Sequence, residues 1–189
     1  MRALSFLVVP LALLFACDTE APTVPGAIDR NDVEGPDFSD ARFLDRMSAH
    51  HHRAIALASL ATERARNPEL RALGTTLHAA RHAELYEMLG WGETWFRDRP
   101  SRSMAHIAST NEEIARIEQE PDVDRALLDA LERNHLEGLE FARDGQLEAD
   151  HPEVRALAEK IVAENGAQLK QIRTWRLAWS PGETKPVEL

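Results

Sequence analysis

Apolar residues recur at steps of three and four over four long stretches and nowhere alternate, which predicts α-helices and no strands. Helices are expected at about 39–66, 68–96, 122–149 and 152–179. Each hairpin is interrupted once, at Asn67-Pro68 and at His151-Pro152, because proline fits the first turn of a helix but not the end of the preceding one. Between the pairs, "STNEEIARIEQEPD" offers a capping box of Thr110 with Glu113, so a short connecting helix is expected there. The pattern describes an all-α fold, an antiparallel four-helix bundle made of two helical hairpins.

The two hairpins repeat each other. A shift of 84 residues, without a gap, lays Asp40, Leu44, Asp45, His51 and Ala58 over Asp124, Leu128, Asp129, His135 and Ala142. The same shift lays Pro68, Arg71, Leu85, Trp91 and Trp95 over Pro152, Arg155, Leu169, Trp175 and Trp179. The four tryptophans are expected to close one end of the bundle.

Polar residues interrupt the apolar stripes at matching heights. On the first helix the stripe runs Leu44, Met47, His51, Ile55, Ala58, and on the third Leu128, Leu131, His135, Leu139, Ala142. On the second helix Leu70, Leu77, Glu84, Trp91 places a carboxylate in the seam, and on the fourth Val154, Ile161, Gln168, Trp175 places an amide there. Folding each hairpin about its proline turn sets His51 level with Glu84 and His135 level with Gln168. Arg81 and Asn165 lie about one turn away on the same side. A buried polar group without a partner costs about 1–3 kcal/mol, so the layer must be satisfied. One way is internal hydrogen bonding, with Arg81 neutralising Glu84. The other is a metal held by His51, His135 and Glu84, a donor set that suits zinc, copper or iron. A coupled di-iron centre lacks its carboxylates, since only "ERNH", Glu132 to His135, has the Glu-x-x-His spacing.

His50 and His52 flank the stripe and are expected to be partly exposed. His78 and His82, four apart on one helix face, are alternative metal ligands. Met47 and Met88 fit the core stripes. No role falls to His106 or His151.

The ends of the chain set its location. Residues 1–16 read as a signal peptide, with Arg2 followed by an apolar run from Ala3 to Ala16 that is too short to span a bilayer. "LLFAC" resembles the lipobox of bacterial lipoproteins, which implies cleavage before Cys17 and lipidation of this one cysteine. Residues 17–37, rich in Pro, Asp and Glu, read as a flexible tether. Residues 38–180 form the bundle and 181–189 a tail. The formal net charge is −10, and loss of Arg2 makes the mature chain one unit more acidic. Such a surface repels nucleic acid and anionic lipid, so the membrane is met through the lipid alone.

The stretches "DARFLDRMSAHHHRAIALA" and "PELRALGTTLHAARHAELYEMLGW" resemble the domain-of-unknown-function 305 family. The residues that carry the likeness are Phe43, Leu44, Met47, His50, His51, Ala54 and Ile55 on the first helix, and Glu84, Leu85, Met88 and Trp91 on the second. The resemblance implies a ferritin-like bundle, commonly exported, with copper as the ligand and His50 joining His51, His135 and Glu84 around it. Leu57 stands where the family has methionine and Arg81 where it has glutamine, and the second repeat keeps only His135 of the histidine pair, after Asn134. Fewer thioethers hold Cu(I) less well.

The expectation is a lipid-anchored protein of the cell envelope that binds a transition metal, copper first, without catalysis. No activated nucleophile, phosphate loop or dinucleotide fingerprint is visible. The alternative is a structural or interaction module with a hydrogen-bonded His/Glu/Gln layer and another envelope protein as its partner.

Overall fold

The computed structural model describes residues 39–98 and 107–179, all within the unit Pro36–Leu189. Cys17, the signal and tether expected over 1–37, His106 and the tail 181–189 lie outside the described residues. Five helices follow in order: α1 Asp40–Arg64, α2 Pro68–Trp95, α3 Ile107–Glu118, α4 Val123–Glu148 and α5 Pro152–Trp179. Every regular element among the described residues is helical, and none of these helices is long and apolar enough to cross a membrane.

Local chemistry sets the helix ends. Ser39 caps α1, its hydroxyl accepting from the Arg42 N–H at 3.3 Å, and Asn67 caps α2 by accepting from the Glu69 N–H at 2.8 Å. Ala65 and Ala149, which end α1 and α4, are both extended, because each precedes a turn that leads into proline.

The hairpins pack antiparallel through α1 and α4 and clamp one another reciprocally. Asp124, in the first turn of α4, accepts from the Arg66 and Asn67 N–H groups at 2.7 and 2.8 Å. Asp40, 84 residues earlier, accepts from the Asp150 and His151 N–H groups at 3.1 and 2.8 Å. Each carboxylate thus serves a helix N-terminus, where its charge opposes the macrodipole, and satisfies the other hairpin's turn.

Two aliphatic clusters fill the bundle. One joins Leu57, Leu70, Leu77, Leu127, Leu131 and Ile172, and the other Phe43, Met47, Met88, Val154 and Ile161. The tryptophans do not share one end. Trp175 and Trp179 stack at 5.1 Å on the first cluster, whereas Trp91 and Trp95 stack at 5.4 Å on the second. An antiparallel pair of hairpins sends the ends of α2 and α5 in opposite directions, so each pair of indoles covers its own end.

Three further expectations are corrected. Thr110 and Glu113 do not open α3, which is already helical at Ile107; Thr110 is buried inside it, and Glu113 instead accepts from Arg53 Nε at 2.7 Å and Nη2 at 2.9 Å. Ile55 is only half-buried, because α1 meets α2, α3 and α4 and its broad inner face continues through Ala54, Leu57 and Ala61. His50 is inside that face, 7% exposed.

Gly145 belongs to the closest contact of the second cluster, since a Cβ there would lie 2.5 Å from Phe43 Cε2, whereas a Cβ on Gly166 would meet nothing within 4 Å. Gly145→Ala is therefore expected to destabilise the fold by about 1–3 kcal/mol through overpacking. Gly166→Ala is expected to stabilise it by about 0.5–1 kcal/mol by removing a helical glycine. Urea unfolding of both variants checks the pair.

Candidate metal centre and its polar layer

A layer of hydrogen-bonded polar side chains separates the aliphatic clusters. His51 Nε2–H donates to Glu84 Oε2 at 2.8 Å, with both side chains 1% exposed. Arg81 Nη1 donates to the same oxygen, and Arg81 Nη2 donates to Asn165 Oδ1 at 2.6 Å. Lys160 Nζ, on a half-exposed side chain, reaches Glu84 Oε1 at 3.0 Å as an ion pair without an aligned hydrogen bond. Glu164 completes the network at 3.7 Å from Arg81 and 3.9 Å from Lys160. In the second hairpin His135 Nδ1 faces the Leu131 carbonyl at 2.7 Å, and Nε2 faces Gln168 Oε1 at 2.9 Å.

Three of the hydrogen bonds that tie the halves together join positions 84 residues apart. Asn134 Nδ2 donates to His50 Nδ1 at 3.3 Å, Arg53 Nη1 donates to Glu137 Oε2 at 2.6 Å, and Arg81 meets Asn165. Residues at equivalent positions touch only where they face each other across the pseudo-two-fold axis of the repeat. Identical residues would set arginine against arginine there, and like charges in contact repel. The halves have diverged to donor and acceptor at these places. Gly138 belongs to the same contact, since a Cβ on it would lie 2.6 Å from His50 Nε2 and 2.7 Å from Asn165 Nδ2.

Electrostatics divide the layer in two. Burial pushes the Glu84 carboxyl upward, but the His51 hydrogen bond and the Arg81 charge outweigh it and hold the carboxyl at about 2. The imidazoles move the other way. Burial lowers His50 well below the ordinary histidine value, with the charges nearby adding to it, and it lowers His51 and His135 despite the hydrogen bonds each makes. All three are neutral at physiological pH, the form in which imidazole binds metals.

Among the described residues no group of three or more His, Cys, Asp or Glu side chains is arranged to hold a metal ion. The fit differs across the layer. Glu84 already carries Arg81 and Lys160, so its carboxylate does not fit a further cation. The imidazole side comes nearer to a donor set: His51 Nδ1 is buried without an aligned hydrogen bond, with the Met47 backbone against the ring, whereas His135 has a partner at each ring nitrogen. His50 stacks edge-on to His51 at 5.8 Å and senses His135, while Met47 is fully buried. Met88 lies in the adjoining cluster. His78 and His82 pair with each other at 4.5 Å on the half-exposed face of α2.

Sequence reasoning missed Lys160, whose carbon chain carries an ammonium from a half-exposed helix face to a buried carboxylate. It also missed Glu132, 3% exposed, which accepts from Arg173 Nε at 2.7 Å and from Arg176 Nη1. The first repeat has Ser48, Leu89 and Gly92 at those three positions. The signal that was available is this departure between halves.

Two antiparallel hairpins enclosing a histidine-bearing polar layer define a duplicated four-helix bundle. The chain belongs to the DUF305 family, described as a domain of unknown function, whose model matches residues 40–176. Three solved structures share the fold. CopM in its Cu(I)-bound form is 25% identical, with a TM-score of 0.68 over 76% of this chain and 99% of CopM. CopM in its Cu(II)-bound form is 24% identical, with a TM-score of 0.69 over the same shares. A DUF305 protein of Streptomyces coelicolor, named as secreted, is 17% identical, with a TM-score of 0.66 over 78% of this chain and 98% of its own. No curated protein matches the chain.

Arg81→Ala is expected to cost about 3–5 kcal/mol, because it leaves a buried carboxylate short of its main counter-charge. Lys160→Ala, at a half-exposed ammonium, is expected to cost about 1 kcal/mol or less. Urea midpoints at pH 7.5 rank the two.

Acid should act in two steps. Each of these groups has a folded pKa below its unfolded value, so its contribution is complete above the unfolded pKa and is lost as pH falls toward the folded one. The histidines begin to lose theirs below 6.5, and Glu84 loses its own between 4.5 and about 2. Unfolding midpoints measured against pH should fall in both windows, and His50→Asn should flatten the first.

Proposed function

We propose that the protein is a lipid-anchored, extracytoplasmic bundle that binds copper as Cu(I) through the imidazoles of its central layer, without turning over a substrate. The observation that carries this reading is the trio His50, His51 and His135, buried and neutral, with His51 Nδ1 lacking an aligned hydrogen bond. Neutral imidazole and thioether are the donors that suit a soft monovalent ion, and His50, His51 and His135, with Met47, would hold it. Bound there, copper supplies a redox-active cation out of contact with water.

Glu84, expected as a ligand from its place in the layer with His51 and His135, instead acts as the counter-ion of Arg81 and Lys160. Those two cations oppose a divalent ion at the same carboxylate, which sets zinc and iron behind copper. CopM has been described with Cu(I), Cu(II) and Ag bound, and its likeness supports the choice. Export and the anchor rest on residues 1–17, and export agrees with the secreted relative. The compensation of Glu84 favours a second reading, a structural or interaction module of the envelope whose polar layer fixes the register of the helices.

The test is a Cu(I) titration against a competing chelator, under reducing conditions, on the full chain purified without a metal-binding tag. Near-stoichiometric binding, lost in His51→Ala and His135→Ala and kept in His78→Ala, is expected. Variants that lower the melting temperature equally with and without Cu(I), in a protein that binds none, would establish the second reading instead.

A further inference from the structure

We infer that His78 and His82 form a second, surface metal site, separate from the central layer, that takes a divalent transition ion such as Cu(II). The two residues stand one helical turn apart on α2, and their ring centroids are 4.5 Å apart. Modest side-chain rotation brings one nitrogen of each to the roughly 2.0–2.1 Å that a metal–imidazole bond requires. Both rings are half-buried, and water can reach them to fill the remaining coordination positions. Among the described residues neither ring makes a hydrogen bond or an ion pair. Their ring contacts are with each other and, one turn on, with Tyr86, which stacks on His82 at 6.1 Å.

The internal repeat supplies an independent argument. The equivalent positions on α5 are Val162 and Gly166, which are also half-buried. The fold therefore packs that face without imidazole, and the histidines on α2 answer to no packing requirement that α5 shares.

Charge and donor type select the ion. Arg81 and Lys160 oppose a divalent cation at the Glu84 carboxylate, whereas His78 and His82 offer two imidazole donors on a chain of net charge −10. Two imidazoles with water suit Cu(II) ahead of the other first-row divalent ions. The two sites divide the oxidation states of copper between them. The surface pair does not need the central one in order to work.

Cu(II) titration of the full chain under air, followed by electron paramagnetic resonance, tests the inference. One tight equivalent with hyperfine structure from two nitrogens is expected. His78→Ala and His82→Ala should each weaken it by about a hundredfold, because a chelate becomes a single ligand. Neither change should alter the melting temperature without metal or the Cu(I) titration, and His52→Ala should alter nothing. A double His78→Ala/His82→Ala variant that binds its first Cu(II) as tightly as the unaltered chain overturns the site. Loss of Cu(I) binding in His51→Ala with Cu(II) binding intact would leave both readings standing, and absence of Cu(I) binding alone would remove only the central one.

Discussion

The buried carboxylate of Glu84 constrains the rest of the bundle. It is 1% exposed, and an ionised group taken that far from water must be met by charge and by hydrogen bonds. Arg81 meets it from its own helix, His51 from α1 and Lys160 from α5. Three helices are thereby held at one height. A slip of either hairpin would leave the carboxylate, the guanidinium or both without partners, so the aliphatic clusters above and below inherit their register from this pairing.

Duplication explains the form the layer takes. A hairpin that packs on its own copy across a two-fold axis places residues on that axis against themselves. Where the contact is apolar this costs nothing. At positions 50, 53 and 81 it would set histidine on histidine and arginine on arginine, and the second copy carries Asn134, Glu137 and Asn165 instead. Divergence at those positions turned self-repulsion into hydrogen bonds. It also made the layer asymmetric, with its charges at the first repeat's Arg81–Glu84 pair and a neutral amide, Gln168, beside the second repeat's histidine.

That asymmetry separates two kinds of chemistry within a few residues. On one side the carboxylate is compensated internally, and a divalent cation finds two positive charges already present. On the other, burial keeps three imidazoles neutral, and of these His51 alone shares the carboxylate. The same desolvation that keeps the histidines unprotonated penalises their protonation, so their burial sets how the layer meets acid.

Helix number, helix ends and the repeat were legible in the amino-acid order, because the prolines, caps and apolar periodicity that decide them act over a few residues. The pairings of His51 with Glu84 and of His135 with Gln168 were legible as well, since a hairpin with a known turn matches heights along two helices. What lay beyond that reach depended on how the hairpins meet. His50 is buried, not partly exposed, because α4 closes over the flank of α1. The tryptophan pairs cover opposite ends because the hairpins run antiparallel. Glu113 meets Arg53 rather than a helix start because α3 lies against α1. Lys160 reaches Glu84 from a helix whose distance from α2 no periodicity encodes. Local sequence determines what each helix buries and where it stops, whereas only the packing of one hairpin on the other decides which charges are shared, because that contact joins residues far apart in the chain.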